Sequence, residues 1–70
     1  MNSRQIIRLL IDKYHFTQSE LARVAKLTPG RISHIYTSSD EKPASCSFEA
    51  GKRLEDLLNR VRIENGDVLH

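Results

Sequence analysis

The chain of 70 residues carries 11 basic and nine acidic side chains, for a net charge of +2, and its mean hydropathy is −0.47. This length predicts one domain over residues 1–70, and a core of this size supplies only about 3–5 kcal/mol of net stability. The sequence has no internal repeat and no apolar stretch of about 18 residues, which excludes a solenoid and a membrane-spanning segment. The short apolar run near the N-terminus meets charges at Asp12 and Lys13 without a small-residue cleavage site, so we expect a cytoplasmic protein without a signal peptide.

The residue patterns that catalysis and metal binding require are absent from the sequence. Cys46 is the only cysteine, so no internal disulfide forms, and no cysteine or histidine cluster has the spacing of zinc ligands. A catalytic pair of Cys46 with His15 or His34 is the alternative to a half-buried structural thiol, but no spacing favours it. We therefore expect neither a metal, nor a cofactor, nor an enzymatic activity.

The charge is distributed unevenly along the chain. Residues 1–36 contain six basic and two acidic side chains, a net charge of +4, whereas residues 37–70 contain five basic and seven acidic side chains, a net charge of −2. Such a bias is expected where the first half faces a polyanion, and a solvated surface with an incidental bias is the alternative.

A first helix is predicted over residues 3–14, capped by Asn2 or Ser3. Its apolar residues recur at spacings of three and four and share one face: Ile6, Ile7, Leu10, Ile11 and Tyr14. Arg4, Arg8 and Asp12 form the opposite stripe, which we expect to be solvated. Contact of the two arginines with phosphate is the alternative.

A second helix is predicted to begin after Thr17 and to end near Ala25. Thr17 and Glu20 form a capping box, and Phe16 with Leu21 has the spacing of a hydrophobic staple. Its connection to the next helix is only Lys26-Leu27.

Thr28 is then the N-cap of a third helix over residues 29–36, and Pro29 occupies the first helical position, where its missing N–H is not needed. Ile32 and Ile35 are predicted to point into the core with Tyr36 beside them. The outward positions are Gly30, Ser33, His34 and Thr37, with Arg31 on the flank.

Residues 37–46 are polar and predict a loop, after which Ser47 caps a fourth helix. Its predicted apolar stripe consists of Phe48, Leu54, Leu57, Leu58 and Val61, and Gly66 is its predicted terminator. Gly51 inside this helix would weaken it by about 1 kcal/mol relative to Ala, and we expect that close packing of a neighbouring helix explains the missing side chain. The alternation in "RVRIENGDV" also permits a strand with an Asn-Gly turn, although the helix is favoured.

Two short helices joined by so tight a turn can hold one helix rigidly in a groove of a binding partner, while the other helix lies across it and supports it. A helix-turn-helix does this in the major groove of DNA, with the N-terminal part of its second helix approaching the base edges. Gly30 would permit a close approach, and the free N–H groups after Pro29 would face an anion.

Residues 17–36 resemble the helix-turn-helix of the lambda-repressor/Cro family of phage and bacterial transcriptional regulators. The matching residues are Gln18, the Leu21-Ala22 pair, the turn positions Ala25 and Leu27, and the core positions Ile32 and Ile35. The first helix and, more loosely, "AGKRLEDLL" extend the resemblance over most of the chain. It implies an all-α, four-helix, lambda-repressor-like DNA-binding domain, with or without a short fifth element, that acts as a Cro-like or autoregulatory repressor.

The sequence departs from the family at two places. Lys26 replaces the usual glycine of the turn, and a left-handed conformation there costs of the order of 1 kcal/mol. Pro29-Gly30 replaces a polar pair that reads bases in many relatives, so base reading shifts to Arg31, Ser33, His34 and Thr37. The full set of candidate DNA contacts is Thr17, Gln18, Thr28, Pro29, Gly30, Arg31, Ser33, His34, Thr37 and Ser38. Thr17 and Thr28 are also explained by capping alone, and Thr37 and Ser38 by their place in a loop.

We expect double-stranded DNA as the partner and a homodimer on a short pseudo-palindromic operator, because one small domain makes few base contacts. Residues 60–70 are the candidate dimerisation tail, since the apolar side chains of Val61, Ile63, Val68 and Leu69 exceed what the core requires. An antitoxin-type DNA-binding protein with a protein partner is one alternative. A protein-interaction module is the other, although the outward residues of the third helix are not apolar.

Overall fold

The computed structural model describes residues 1–67, which form four α-helices: α1 (Ser3–Asp12), α2 (Gln18–Ala25), α3 (Pro29–Thr37) and α4 (Phe48–Glu64). No strand occurs in this part of the chain, so the prediction of a small all-α domain is confirmed and the strand alternative for residues 60–67 is wrong. A fifth element beyond Asp67, and the tail residues Val68 and Leu69, lie outside the described residues.

The four helices enclose one core. α1 and α2 each pack against both α3 and α4. The side chains buried in this core are Ile6, Ile7, Leu10, Leu21, Ala22, Ala25, Ile32, Ile35, Ala50, Leu54 and Leu58. α3 is therefore held by α1 and α2 on its core side. Within residues 1–67, no helix is long and apolar enough to span a bilayer.

The helices begin where the sequence predicts, because side chains cap their first N–H groups. The capping box of α2 is confirmed, because the Glu20 N–H donates to Thr17 Oγ1 and the Thr17 N–H donates to Glu20 Oε1, each at 3.1 Å. Asn2 makes the same box with Gln5 at the start of α1, and Ser47 caps α4. These caps satisfy N–H groups that have no partner within the helix.

The turn between α2 and α3 depends on a left-handed residue. Lys26 has φ +58°, so the turn keeps the left-handed conformation of a glycine despite its cost for lysine, and the Leu27 N–H donates to the Ala22 carbonyl at 2.8 Å. This is a Schellman arrangement, which closes a helix and reverses the chain within two residues. Gly66, with φ +72°, ends α4 in the same way, because the Asp67 N–H donates to the Arg62 carbonyl at 2.8 Å.

Two predicted helix ends differ from the structure. α1 ends at Asp12 instead of residue 14, because His15 adopts a left-handed conformation with φ +61° and the Phe16 N–H donates to the Leu10 carbonyl. α3 extends one residue further than predicted, to Thr37.

Three predictions about α4 are wrong. Phe48 is 87% exposed, because it precedes Leu54 by six residues and so lies on another side of the helix. Val61 is 7% exposed and belongs to the interior, so it is not a surplus apolar residue. A Cβ at Gly51 would lie 3.6 Å from Ser3 Oγ and 3.8 Å from Cys46 Sγ, which is ordinary contact, so packing does not require glycine there.

Candidate nucleic-acid interface

The first turn of α3 is exposed and free of covering side chains. Thr28 caps it by accepting the Arg31 N–H at 3.1 Å, and Pro29 occupies the first helical position. Thr28, Pro29, Gly30 and Arg31 are all exposed. Because Pro29 has no N–H and the Arg31 N–H is bonded to Thr28, the Gly30 N–H is the first-turn donor that remains for a ligand, at the positive end of the helix dipole. This turn can therefore accept an anionic or hydrogen-bonding ligand.

Gly30 is the most open point of this turn. A Cβ built on Gly30 would meet no atom within 4 Å, and its φ lies outside the left-handed region. Neither packing nor backbone conformation within the chain therefore requires glycine at this position. A ligand that approaches the backbone closely would require it.

The core side of α3 is fully enclosed. Ile32 and Ile35 are both 0% exposed, as the helical spacing predicts. Tyr36 is half-buried beside them. The helix thus has one buried face that fixes it to α1 and α2 and one free face that carries the predicted outward residues.

Arg31 is exposed but has an intramolecular partner. One Nη atom donates to the Ser45 carbonyl at 2.5 Å, which links the first turn of α3 to the end of the loop before α4. A guanidinium has five N–H donors, so this bond leaves others for a ligand.

The remaining outward residues of α3 differ in their exposure and in how many of their hydrogen-bonding groups are available to a ligand. His34 is exposed, and Ser33 is half-buried. The Thr37 hydroxyl donates to the Ser33 carbonyl at 2.9 Å and so retains only acceptor capacity for a ligand. His34 is therefore the most available polar side chain in the middle of α3.

At the start of α2, Thr17 and Gln18 are both exposed. The Thr17 hydroxyl is the N-cap, bonded to Glu20 as described, so capping already accounts for it. Gln18 is the first residue of α2.

The hydroxyl and the carbonyl of Ser38 are both hydrogen-bonded within the protein. It is half-buried at the C-cap of α3, where its hydroxyl donates to the Ile35 carbonyl at 2.6 Å. Its own carbonyl accepts a hydrogen bond from Arg4 Nε at 2.6 Å. A contact in which the Ser38 hydroxyl donates to phosphate would have to displace the bond to Ile35.

The prediction of a solvated stripe on α1 is wrong for Arg4, whereas Arg8 and Asp12 are exposed as predicted. Arg4 is only 8% exposed and also pairs with Asp40. The Arg8 guanidinium lies 5.1 Å from the centre of the Tyr36 ring, and the Tyr36 hydroxyl donates to Asp12 Oδ1 at 2.6 Å. All three stripe residues therefore contact the C-terminal part of α3 or the start of the following loop.

The hydrogen bond to Asp12 changes the acidity of Tyr36. Because the Asp12 carboxylate accepts the phenolic proton, the pKa of Tyr36 is raised above its ordinary value of 10.0, with further contributions from burial and from the negative charge of Asp12. The nearby Arg8 cation acts in the opposite direction and lowers the pKa.

The contacts of α1 with the end of α3 and the following loop were not predicted from the sequence. A signal was present, since Arg4, Arg8 and Asp12 recur at spacings of four on one helix face. Their partners Tyr36 and Asp40 are distant in sequence, and no local pattern pairs them with α1.

Cys46 is half-buried, and its Sγ lies 3.4 Å from Ser3 Oγ. Within residues 1–67, no cluster of three or more histidine, cysteine or acidic side chains could hold a metal ion.

The structure places most of the predicted DNA contacts on the surface. The exposed candidates are Thr17, Gln18, Thr28, Pro29, Gly30, Arg31, His34 and Thr37, and the half-buried candidates are Ser33 and Ser38.

Comparison of the chain with protein-family models, with curated proteins and with solved structures found no match.

Proposed function

We propose that this chain is a sequence-specific DNA-binding regulator of the lambda-repressor/Cro type, in which α2 and α3 form a helix-turn-helix and α3 enters the major groove. The observation that carries this proposal is the open first turn of α3 around Gly30, on a helix whose opposite face is wholly buried through Ile32 and Ile35. A rigid helix with a free polar face is what base reading requires.

The charge distribution supports DNA over a protein groove as the ligand of α3. Residues 1–36 carry a net charge of +4, and the outward positions of α3 offer glycine, hydroxyl, imidazole and guanidinium groups. A helix that docks into a protein groove presents apolar anchors instead. In the proposed complex, Arg31 and His34 contact base edges or phosphates, while Thr28 and Gln18 lie at helix starts suited to phosphate.

A second copy of the chain completes the proposed binding unit. Two domains related by a two-fold axis read two half-sites about one helical turn of DNA apart, and this doubles the base contacts. Ile63, which is 66% exposed near the end of α4, supports an interface at residues 60–70. Phe48, 87% exposed at the start of α4, favours the antitoxin-type alternative in which the regulator also binds another protein.

Selection of bound sites from random duplex DNA tests the proposal. We expect the chain to enrich one short pseudo-palindromic sequence, and its affinity for that sequence to fall steeply between about 50 and 200 mM salt, because bound cations release counterions from the duplex. A duplex of the same length and composition in scrambled order is the control. Recovery of no preferred sequence, or an affinity indifferent to salt, would contradict the proposal.

Sedimentation of the protein with the selected duplex tests the dimer separately. We expect two chains per site. Truncation after Asn59 should also weaken binding, but it removes the buried Val61 as well, so the number of chains per site decides the question. One chain per full site would rule out the dimer while leaving DNA binding intact.

A further inference from the structure

Arg4 is the only charged residue within residues 1–67 that the structure buries. Its Nε donates to the Ser38 carbonyl at 2.6 Å, and its Nη1 pairs with Asp40. Burial of a guanidinium is unfavourable unless its N–H groups are bonded, so these contacts at the end of α3 keep Arg4 in place.

The two partners contribute unequally. The Asp40 side chain is 87% exposed, so solvent screens its attraction for Arg4. Ser38 is the C-cap of α3 and is half-buried, and the negative end of the helix dipole lies there. The bond from Nε to the Ser38 carbonyl is therefore the stronger tie between α1 and the end of α3.

We propose that Arg4 is a positioning residue for DNA reading, acting by fixing the orientation of α3 relative to α1 without touching the DNA. This inference rests on the proposed function. Ile32 and Ile35 hold α3 against the core through apolar contacts, which have no preferred direction. Two directional bonds add to them at the C-terminal end, from the Tyr36 hydroxyl to Asp12 and from the Arg4 guanidinium to Ser38, and the bond from Arg4 ties the residue at which α3 ends and so constrains the tilt of the helix.

The tilt matters for recognition because a binding group must be placed within about 0.5 Å of its productive position. Rotation of α3 about its buried residues would move His34 and Gly30 relative to the base edges. Contacts to phosphate from flexible cations tolerate such a shift better than bidentate base contacts do. Loss of the Arg4 contact should therefore reduce discrimination more than it reduces general affinity for duplex DNA.

Two variants separate geometry from charge. Arg4→Lys retains the positive charge but cannot bond Ser38 and Asp40 together in the planar fork of a guanidinium. Arg4→Met retains much of the apolar stem and removes both the charge and the donors. Ile6→Val is the matched control, since Ile6 is buried on the same helix and the change weakens the core without touching the contact to α3.

The full chain and its variants are titrated with the selected duplex and with the scrambled duplex, and each affinity is corrected for the folded fraction measured by circular dichroism. We expect Arg4→Lys and Arg4→Met to lose about tenfold in affinity for the selected duplex, and Arg4→Lys to keep the parent affinity for the scrambled duplex. Ile6→Val should keep the parent affinity for both after correction. Asp40→Asn should resemble the parent, because its partner charge is already screened.

Amide hydrogen exchange of the free protein supplies a readout that does not involve DNA. In Arg4→Lys, faster exchange at the last turn of α3 with unchanged exchange at Leu21 supports a local loss of position. Equal acceleration at both places indicates general destabilisation and overturns the inference.

The outcomes distinguish the inference from the proposed function. A parent chain that prefers no duplex overturns the proposed function and the role of Arg4 with it. A parent that discriminates, together with an Arg4→Lys variant that discriminates equally well, overturns the role of Arg4 alone.

Discussion

The two ends of α3 are held in opposite ways. At its start, Gly30 has no neighbour within 4 Å of the position a Cβ would take, and residues 28–31 are all exposed. At its end, Arg4 bonds the C-cap Ser38, and Tyr36 lies between Arg8 and Asp12. One short helix can therefore leave its first turn free for a ligand because polar contacts tie its last turn to a neighbouring helix.

The largest loss of stability is expected from a change at Ile32, because its burial holds both ends of α3 against the core. Ile32 is fully buried in the middle of α3, and Ile32→Ala should destabilise the fold by about 2–5 kcal/mol through lost burial and a residual cavity. That loss is comparable with the whole stability of a domain this small. Thermal melting by circular dichroism measures it, with Ile32→Val as a milder control that should cost about 0.5–1.5 kcal/mol. An Ile32→Ala variant that melts like the parent would contradict the burial of this face.

Changes on the free face should affect binding more than folding. His34→Ala and Arg31→Ala should each cost about 1–3 kcal/mol of binding to the selected duplex, the value of a good base contact. His34→Ala should leave the melting temperature unchanged, whereas Arg31→Ala also loses its bond to Ser45, a contact of about 0.5–1.5 kcal/mol at most.

Lys52→Ala is the control for the loss of one positive charge, because Lys52 lies on α4, paired with Asp56 at 3.3 Å. Titration of the duplex with all three variants measures the difference. Parent-like affinity in both α3 variants would remove α3 as the reading surface and favour the protein-docking alternative.

A smaller change at the start of α3 should move stability and binding in opposite directions. Gly30→Ala should stabilise the fold by about 0.4–1 kcal/mol, because its backbone conformation suits alanine and the added methyl group meets no atom of the chain. The same methyl group should weaken DNA binding if the backbone approaches the DNA closely.

Gly51→Ala is the matched control for Gly30→Ala, since α4 gains the same helix propensity and the added Cβ makes only ordinary contacts. Chemical denaturation and duplex titration of both variants give the two quantities. Undiminished affinity in Gly30→Ala would show that no close approach occurs there.

The smallest effect concerns the tied end of α3 and appears only at alkaline pH. Because the folded state raises the pKa of Tyr36 above the value of 10.0 for an unfolded chain, the folded state holds this proton more tightly. The contribution to stability is therefore complete below pH 10 and is lost as the pH rises through the folded-state pKa. The measurement is the free energy of unfolding against pH for the parent and for Tyr36→Phe, and their difference should shrink above pH 10. A difference independent of pH would contradict the bond to Asp12.

Much of the helical framework was predictable because its signals are local. The capping box of Thr17 with Glu20 and the cap at Thr28 each involve residues within about one helical turn of each other. The core positions of α3 follow from the same short-range periodicity. The open start of α3 was predictable for the same reason, since Pro29-Gly30 after an N-cap determines what the first turn can present.

The tied end of α3 was not predictable, because its partners are distant in sequence. Arg4 lies 36 residues from Asp40, and Asp12 lies 24 residues from Tyr36. A polar stripe on an amphipathic helix is ordinarily solvated, and only the packing of α1 beside α3 makes it an interface. The exposure of Phe48 was predictable in principle, since its spacing of six residues from Leu54 already places it on another side of α4.

The sequence by itself determined where the helices begin and most of the residues that fill the core, because caps and periodicity depend on neighbours within a few residues. The tertiary structure decided that Arg4 is buried, that Arg31 bonds Ser45 and that Tyr36 lies between Arg8 and Asp12. These contacts join side chains whose distance depends on how the four helices pack. Packing is the sum of many weak apolar contacts without direction, so no single stretch of sequence encodes which polar groups it brings together.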